Sequence, residues 1–228
     1  MTIVAVKHQL PPLPFPAAAF EPHIDARTML LHHDKHHAGY VDTLNKTLES
    51  APESVQEKTA MWLLLNLDKI PEQIRTTIKN NAGGHVNHSQ LWHSMRPPGG
   101  SSPSDSLAAA INNYFGDFEK FKTQFEESGS KLFGSGWVWL VKGPHDEGLK
   151  VMTTTGHDNP VTQGYFILLV SDVWEHAYYL KYENRRSEYL HQWWSIANWT
   201  EAARRFKLSQ QPGQSPAQLV DDALAKVR

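Results

Sequence analysis

Apolar positions follow a helical rhythm over the first half of the chain and gather into short runs after it. Residues 1–24 carry Pro11, Pro12, Pro14 and Pro16, which fix φ and withdraw N–H donors, so an extended arm is predicted there. Asp25 reads as a helix N-cap. From 26 to 50 there is no proline and a single glycine, Gly39, while Met29, Tyr40, Leu44 and Leu48 recur at helical spacing. Pro52 interrupts this long helix. A second helical stretch containing Trp62, Leu63 and Leu65 leads to Pro71, and a third runs from 72 to about 95 through Ile74, Ile78 and His85. Pro97-Pro98-Gly99-Gly100 ends it, and residues 97–103 form the strongest break in the chain.

Beyond the break, 104–115 and 118–128 read as two short helices. Residues 136–141, 149–155 and 165–170 are β-branched or aromatic runs separated by Gly, Pro and Asp, which predicts a three-stranded antiparallel meander. Helical signals return from 183 to 206. The tail from 209 opens polar, offers Ser215-Pro216 as cap and first turn of a short helix, and by composition predicts a solvated appendage. The fold class is α+β: an N-terminal long α-helical hairpin (1–97), a C-terminal domain with a three-stranded antiparallel sheet and surrounding helices (98–208), and a C-terminal extension (209–228).

Composition narrows the chemistry. Of 228 residues 40% are hydrophobic and 20% charged, with a formal net charge of -2, a balance that gives no sign of a nucleic-acid or membrane-surface partner. No cysteine is present, which excludes disulfides, thiolate metal sites, Fe–S clusters and cysteine nucleophiles together. Neither a secretory signal at 1–10 nor a run long enough to span a bilayer is visible, so a soluble, cytoplasmic protein is expected. The 13 His and 8 Trp point instead to nitrogen-and-oxygen metal chemistry behind an aromatic wall.

Spacing decides which histidines matter. His32, His36 and Tyr40 recur every four residues, roughly along one helix face; the zincin pattern is absent, because His33, Asp34 and Lys35 intervene. His85 and His88 follow the paired glycines Gly83 and Gly84, whose cost inside a helix implies a packing or access requirement, and only one of the two His need be a ligand. Asp172 and His176 follow an apolar strand and can both turn toward one ion. Imidazoles with one carboxylate suit Mn, Fe or Zn, and ligand type alone leaves all three open. A mononuclear non-haem iron oxygenase uses two His and one carboxylate, and ferritin-like storage bundles use paired Glu-x-x-His motifs. Here Glu188 with His191 is the one such spacing.

Four blocks carry a resemblance. Glu21-Pro22-His23-Ile24-Asp25 with Leu31-His32-His33-Asp34-Lys35-His36-His37, then Asn80-Asn81-Ala82-Gly83-Gly84-His85-Val86-Asn87-His88, then Phe133-Gly134-Ser135-Gly136-Trp137-Val138-Trp139-Leu140, and finally Asp172-Val173-Trp174-Glu175-His176-Ala177-Tyr178-Tyr179 resemble the iron/manganese superoxide dismutase family in order and spacing. The likeness covers roughly residues 8 to 207. It implies His32, His88, Asp172 and His176 as metal ligands with a bound solvent as the fifth, and superoxide as the small-molecule substrate. It also implies His36 and Tyr40 at the substrate entry and Trp92, Trp137, Trp139 and Trp174 as the aromatic shell. A homodimer or homotetramer is implied, with Glu175, Tyr179 and His36 at the subunit interface. Gly84 and Asp158 match the manganese type, whereas that type usually has Gln at the position of His157. One Mn ion per subunit is therefore expected, with Fe, or either metal, as the alternative, and His157 is expected to reach the bound solvent.

Overall fold

The structure, a computed structural model, describes residues 8–99, 102–144 and 147–225. The predicted arm at 1–7, residues 100–101 of the predicted break and the last three residues of the tail lie outside these. The arm is not extended throughout: past its prolines it turns into a 3₁₀ helix at Ala17–Phe20, which buries Phe20 in the core. Asp25 caps α1 (Ala26–Leu31), its Oδ1 accepting from the Thr28 amide at 2.8 Å.

The helix does not run on evenly. Between α1 and α2 (Ala38–Leu48) a π-helical turn, His32–His37, inserts i→i+5 bonding. The widened turn buries His32, His33 and His37 together while His36 stays exposed. A strict four-residue spacing cannot reveal such a turn. After Pro52 come α3 (Glu53–Gln56), then α4 (Ala60–Leu65), capped by the Thr59 hydroxyl, and the 23-residue α5 (Glu72–Ser94), which packs antiparallel to α2 as the second arm of the hairpin.

The C-terminal half opens with α6 (Asp105–Phe115) and α7 (Phe118–Lys131), the latter capped by Asp117. Strands β1 (Gly136–Lys142), β2 (Leu149–Thr155) and β3 (Phe166–Asp172) form one antiparallel sheet of order β2-β1-β3. This corrects the meander: the central strand is the first, not the second. The reason lies in burial. β1 reads Trp-Val-Trp-Leu-Val and is buried on both faces, whereas β2 alternates with the exposed Lys150 and Thr155 and suits an edge. β3 is also an edge, yet it is fully buried because α5 and α10 cover it.

The helical return from 183 is broken into pieces: α8 (Tyr179–Tyr182) lies before it, then α9 (Arg186–Trp193), a 3₁₀ turn and α10 (Trp199–Leu208), capped by Asn198. The tail is not a solvated appendage. Ser215 Oγ caps α11 (Pro216–Ala225), and Val220, 3% exposed, joins the hydrophobic core. α11 packs on α4, α5 and β3, and the Thr59 hydroxyl donates to Asp221 Oδ2 at 3.2 Å. Among the described residues, no helix is long and apolar enough to cross a membrane.

Candidate metal centre

Four elements deliver one polar side chain each to a buried point between hairpin and sheet. His32 comes from the π turn, His88 from mid-α5, Asp172 from the last position of β3, and His176 from the 3₁₀ turn that follows. Their ligand atoms all lie within 4.8 Å of one another. Asp172 Oδ2 is the hub: His32 Nε2 is 3.1 Å away, His176 Nε2 3.2 Å and His88 Nε2 3.8 Å.

The protonation states match an ion site. His88 Nδ1 lies 2.6 Å from the Gly84 carbonyl, which can only accept, so Nδ1 carries the proton and Nε2 presents a lone pair. That Nε2 and the Nε2 of His32 are buried without a hydrogen-bond partner, although His32 sits close to the carboxylate. Two orphaned imidazole nitrogens facing one carboxylate oxygen fit a cation between them, since unsatisfied buried polar atoms are otherwise costly. Burial pushes His32 down to about 4 against the pull of Asp172, and burial with His32 nearby holds His88 well below its ordinary value. Burial opposes ionisation of Asp172, but His176 and His32 beside it hold the carboxyl well below the usual carboxylate range. Neutral imidazoles with an ionised carboxylate, and no thiolate, form a donor set that fits Mn or Fe.

A second ring of groups surrounds these four. His36, exposed, stacks on His176 with ring centroids 4.1 Å apart. Tyr40 lies over His88 at 5.2 Å and meets His157 edge-on at 4.6 Å; burial, with Asp172 behind it, raises its phenol to about 12. A Cβ on Gly84 would come within 2.6 Å of the Tyr40 ring, which is why this helix position has no side chain. His157 is buried with neither ring nitrogen partnered, lowered to about 4 by burial, and stacked on Trp174 at 4.5 Å. Trp137 meets His88 edge-on at 5.0 Å and Trp92 meets His32 at 4.9 Å. Trp139 stands one row back, donating to Thr154 Oγ1 at 3.0 Å and touching Trp137.

His85 is not in the ligand group. It belongs to a buried chain that the spacing did not single out. Trp92 Nε1 donates to His37 Nδ1 at 2.9 Å, so the His37 proton sits on Nε2, which donates to His85 Nδ1 at 2.8 Å. Burial lowers both imidazoles, His85 to about 3. The sequence signal was the extra His near each clustered one, His37 five residues after His32 and His85 three before His88. Glu175 and Tyr179 are exposed, as is Glu188; His191 pairs with Glu126 at 3.4 Å. A third imidazole in the cluster and the close tryptophans oppose the oxygenase reading, and the lone Glu188–His191 pair opposes the storage reading.

Comparison with known proteins agrees with this geometry. The chain matches the family models described as iron/manganese superoxide dismutases, alpha-hairpin domain, over residues 7–96, and C-terminal domain, over residues 103–205. It is 48% identical over 209 residues to manganese superoxide dismutase 3 of Leptolyngbya boryana, covering 92% of this chain and 87% of that protein. The manganese superoxide dismutase of Pseudomonas aeruginosa is 47% identical over 199 residues, 87% of this chain and 97% of its own length. With a His and Asp cluster of the right chemistry at the junction of its two matched regions, the chain belongs to the iron/manganese superoxide dismutase family and is an oxidoreductase that converts superoxide to dioxygen and hydrogen peroxide with manganese or iron.

Proposed function

We propose that His32, His88, Asp172 and His176 hold the ion and that His36, Tyr40, His157 and Trp137 manage the substrate and its protons. The observation that carries this reading is the pair of orphaned Nε2 atoms, on His32 and His88, facing Asp172 Oδ2. Manganese or iron, when bound, supplies the one-electron exchange between two superoxide anions. One superoxide leaves as dioxygen; the other gains an electron and two protons and leaves as hydrogen peroxide. Tyr40 keeps its O–H across the physiological range, because its phenol is raised to about 12, so it can donate to a small anion beside His88 and hand on a proton from Oη. His157 offers a ring nitrogen without a competing partner on the same side of the site. Trp137 and Trp92 exclude water and larger reductants, which strengthens every remaining polar contact.

Manganese is the proposed native ion, with iron the alternative. Gly84 supports it, since Tyr40 fills the space that a side chain there would need, and the relatives named above are manganese enzymes. The proposal extends to a homodimer or homotetramer with the exposed Glu175, Tyr179 and His36 at the interface. It also includes a cytoplasmic location and units at 1–97, 98–208 and 209–228; family matches that end at 96 and resume at 103 support the first limit. Stripping the protein of metal and reloading it with manganese or iron, while following metal content and superoxide decay, tests the reading. Decay that tracks metal content is expected; equal decay in stripped protein would overturn it.

A further inference from the structure

The turn after β2 is gripped through its backbone. The Gly156 carbonyl oxygen accepts from two indoles at once, Trp137 Nε1 at 2.9 Å from β1 and Trp174 Nε1 at 3.1 Å from the segment after β3. On the next residue, a Cβ on Gly83 of α5 would lie 2.4 Å from the His157 carbonyl oxygen, so helix and turn are in van der Waals contact at that point. Asn87 Nδ2 donates to the same carbonyl at 3.3 Å. The orientation of that amide is set from outside: Asn159 Oδ1 accepts from the Val161 amide, which leaves Asn159 Nδ2 to donate to Asn87 Oδ1 at 2.7 Å. Backbone on both sides of the His157 Cα is thus fixed, while its ring nitrogens are left without partners.

Trp174 has a further grip. Its backbone N–H donates to Asp172 Oδ1 at 2.8 Å, and its ring lies flat on His157 at an interplanar angle of 10°. We propose that Trp174 is a positioning residue that sets His157 and Asp172 relative to one another, through its indole on the Gly156 carbonyl and its amide on the carboxylate, with Trp137 as the second anchor on that carbonyl. Two donors on one oxygen hold it in two directions, so the turn cannot rotate about either bond alone. The inference rests on the proposed role of His157 at the ion, and it adds a cause for where that ring stands.

Trp174→Phe tests this, because it keeps an aromatic ring facing His157 and the backbone amide while removing the N–H donor along with the five-membered half of the indole. Trp174 is half-buried, so the variant is expected to fold; should it fail, Trp137→Phe removes the other donor to the same oxygen. In metal-free protein, amide exchange of Gly156 and Asp158 should quicken about tenfold while the β1 and β3 amides are unchanged. In manganese-loaded protein, azide, a small anion used as the probe, should bind about three- to tenfold more weakly per bound metal. That weakening should vanish when Trp174→Phe is made on His157→Gln, since the indole acts through the position of His157. Unaltered exchange, or an equal loss of azide affinity in both backgrounds, would overturn the proposal. If the wild type takes up neither metal, the reading of the ion site fails, and the exchange measurement still decides the positioning role.

Discussion

His88 donates its Nδ1–H to the carbonyl of Gly84, one turn back on the same helix, across 2.6 Å. The bond spends one nitrogen to aim the other, and it needs a backbone carbonyl at that distance rather than any particular side chain. His88→Ala or Asp172→Ala should each weaken metal binding by well over the roughly 10–100-fold that loss of an outer hydrogen-bond partner causes, and remove activity with it. Elemental analysis after dialysis, beside superoxide decay, checks this. Stoichiometric metal with normal activity in either variant would take that residue out of the ligand set.

His157→Gln should shift the ratio of manganese-supported to iron-supported activity toward manganese at nearly unchanged metal content. His157 faces Tyr40 and carries two unpartnered nitrogens, but it is not among the four clustered ligands. A group placed there changes how readily protons reach the site without changing what holds the ion. Activity per bound metal for both reconstituted forms measures it, and an equal ratio in wild type and variant would rule out that role.

Glu175→Ala should loosen the assembly. Glu175 is exposed in the single chain and opens the 3₁₀ turn that bears His176. If a partner imidazole covers it, its loss costs roughly 2–5 kcal/mol of association. Sedimentation over a concentration series gives the result directly; an unaltered oligomer with full activity removes Glu175 from the interface.

Stability of the metal-free protein should fall as pH drops below about 6.5. Burial lowers His32 and His157 to about 4 and His85 to about 3, from an ordinary 6.5. Between about pH 6.5 and 4 the unfolded chain therefore binds more protons than the folded one, so stability is fully present above that window and drains away through it. At pH 5 each such imidazole accounts for about 2 kcal/mol. Urea midpoints at pH 7.5, 6 and 5 test the direction, and a midpoint constant across them contradicts it.

What the chain revealed in advance was what is decided locally. The Asp25 cap, the extent of α5 and the Ser215-Pro216 helix start depend on residues within a turn of one another, and the structure places them where the pattern did. The strand order escaped because β1 wins the centre through burial against two distant partners. The π turn escaped because a four-residue repeat is the same string of letters in either helix. At the site, Asp172 and His176 stood close in sequence, whereas the His37–His85 bond joins residues 48 apart and no spacing announces it. Val220 sits among several apolar residues in the tail, including Leu219 and Leu224, and its value lay in a surface that other segments build.

The docking of α11 has a consequence for biosynthesis. A chain leaves the ribosome from its first residue onward, and early domains ordinarily fold as they emerge. Here the apolar flank of α4 and α5 receives its cover, Val220 among it, from α11, a helix that follows the whole sheet in the chain. The hairpin is complete in sequence long before that helix exists. Until α11 has been made, that flank of the hairpin stays uncovered, so the hairpin and the distant helix finish folding together rather than in the order of their synthesis.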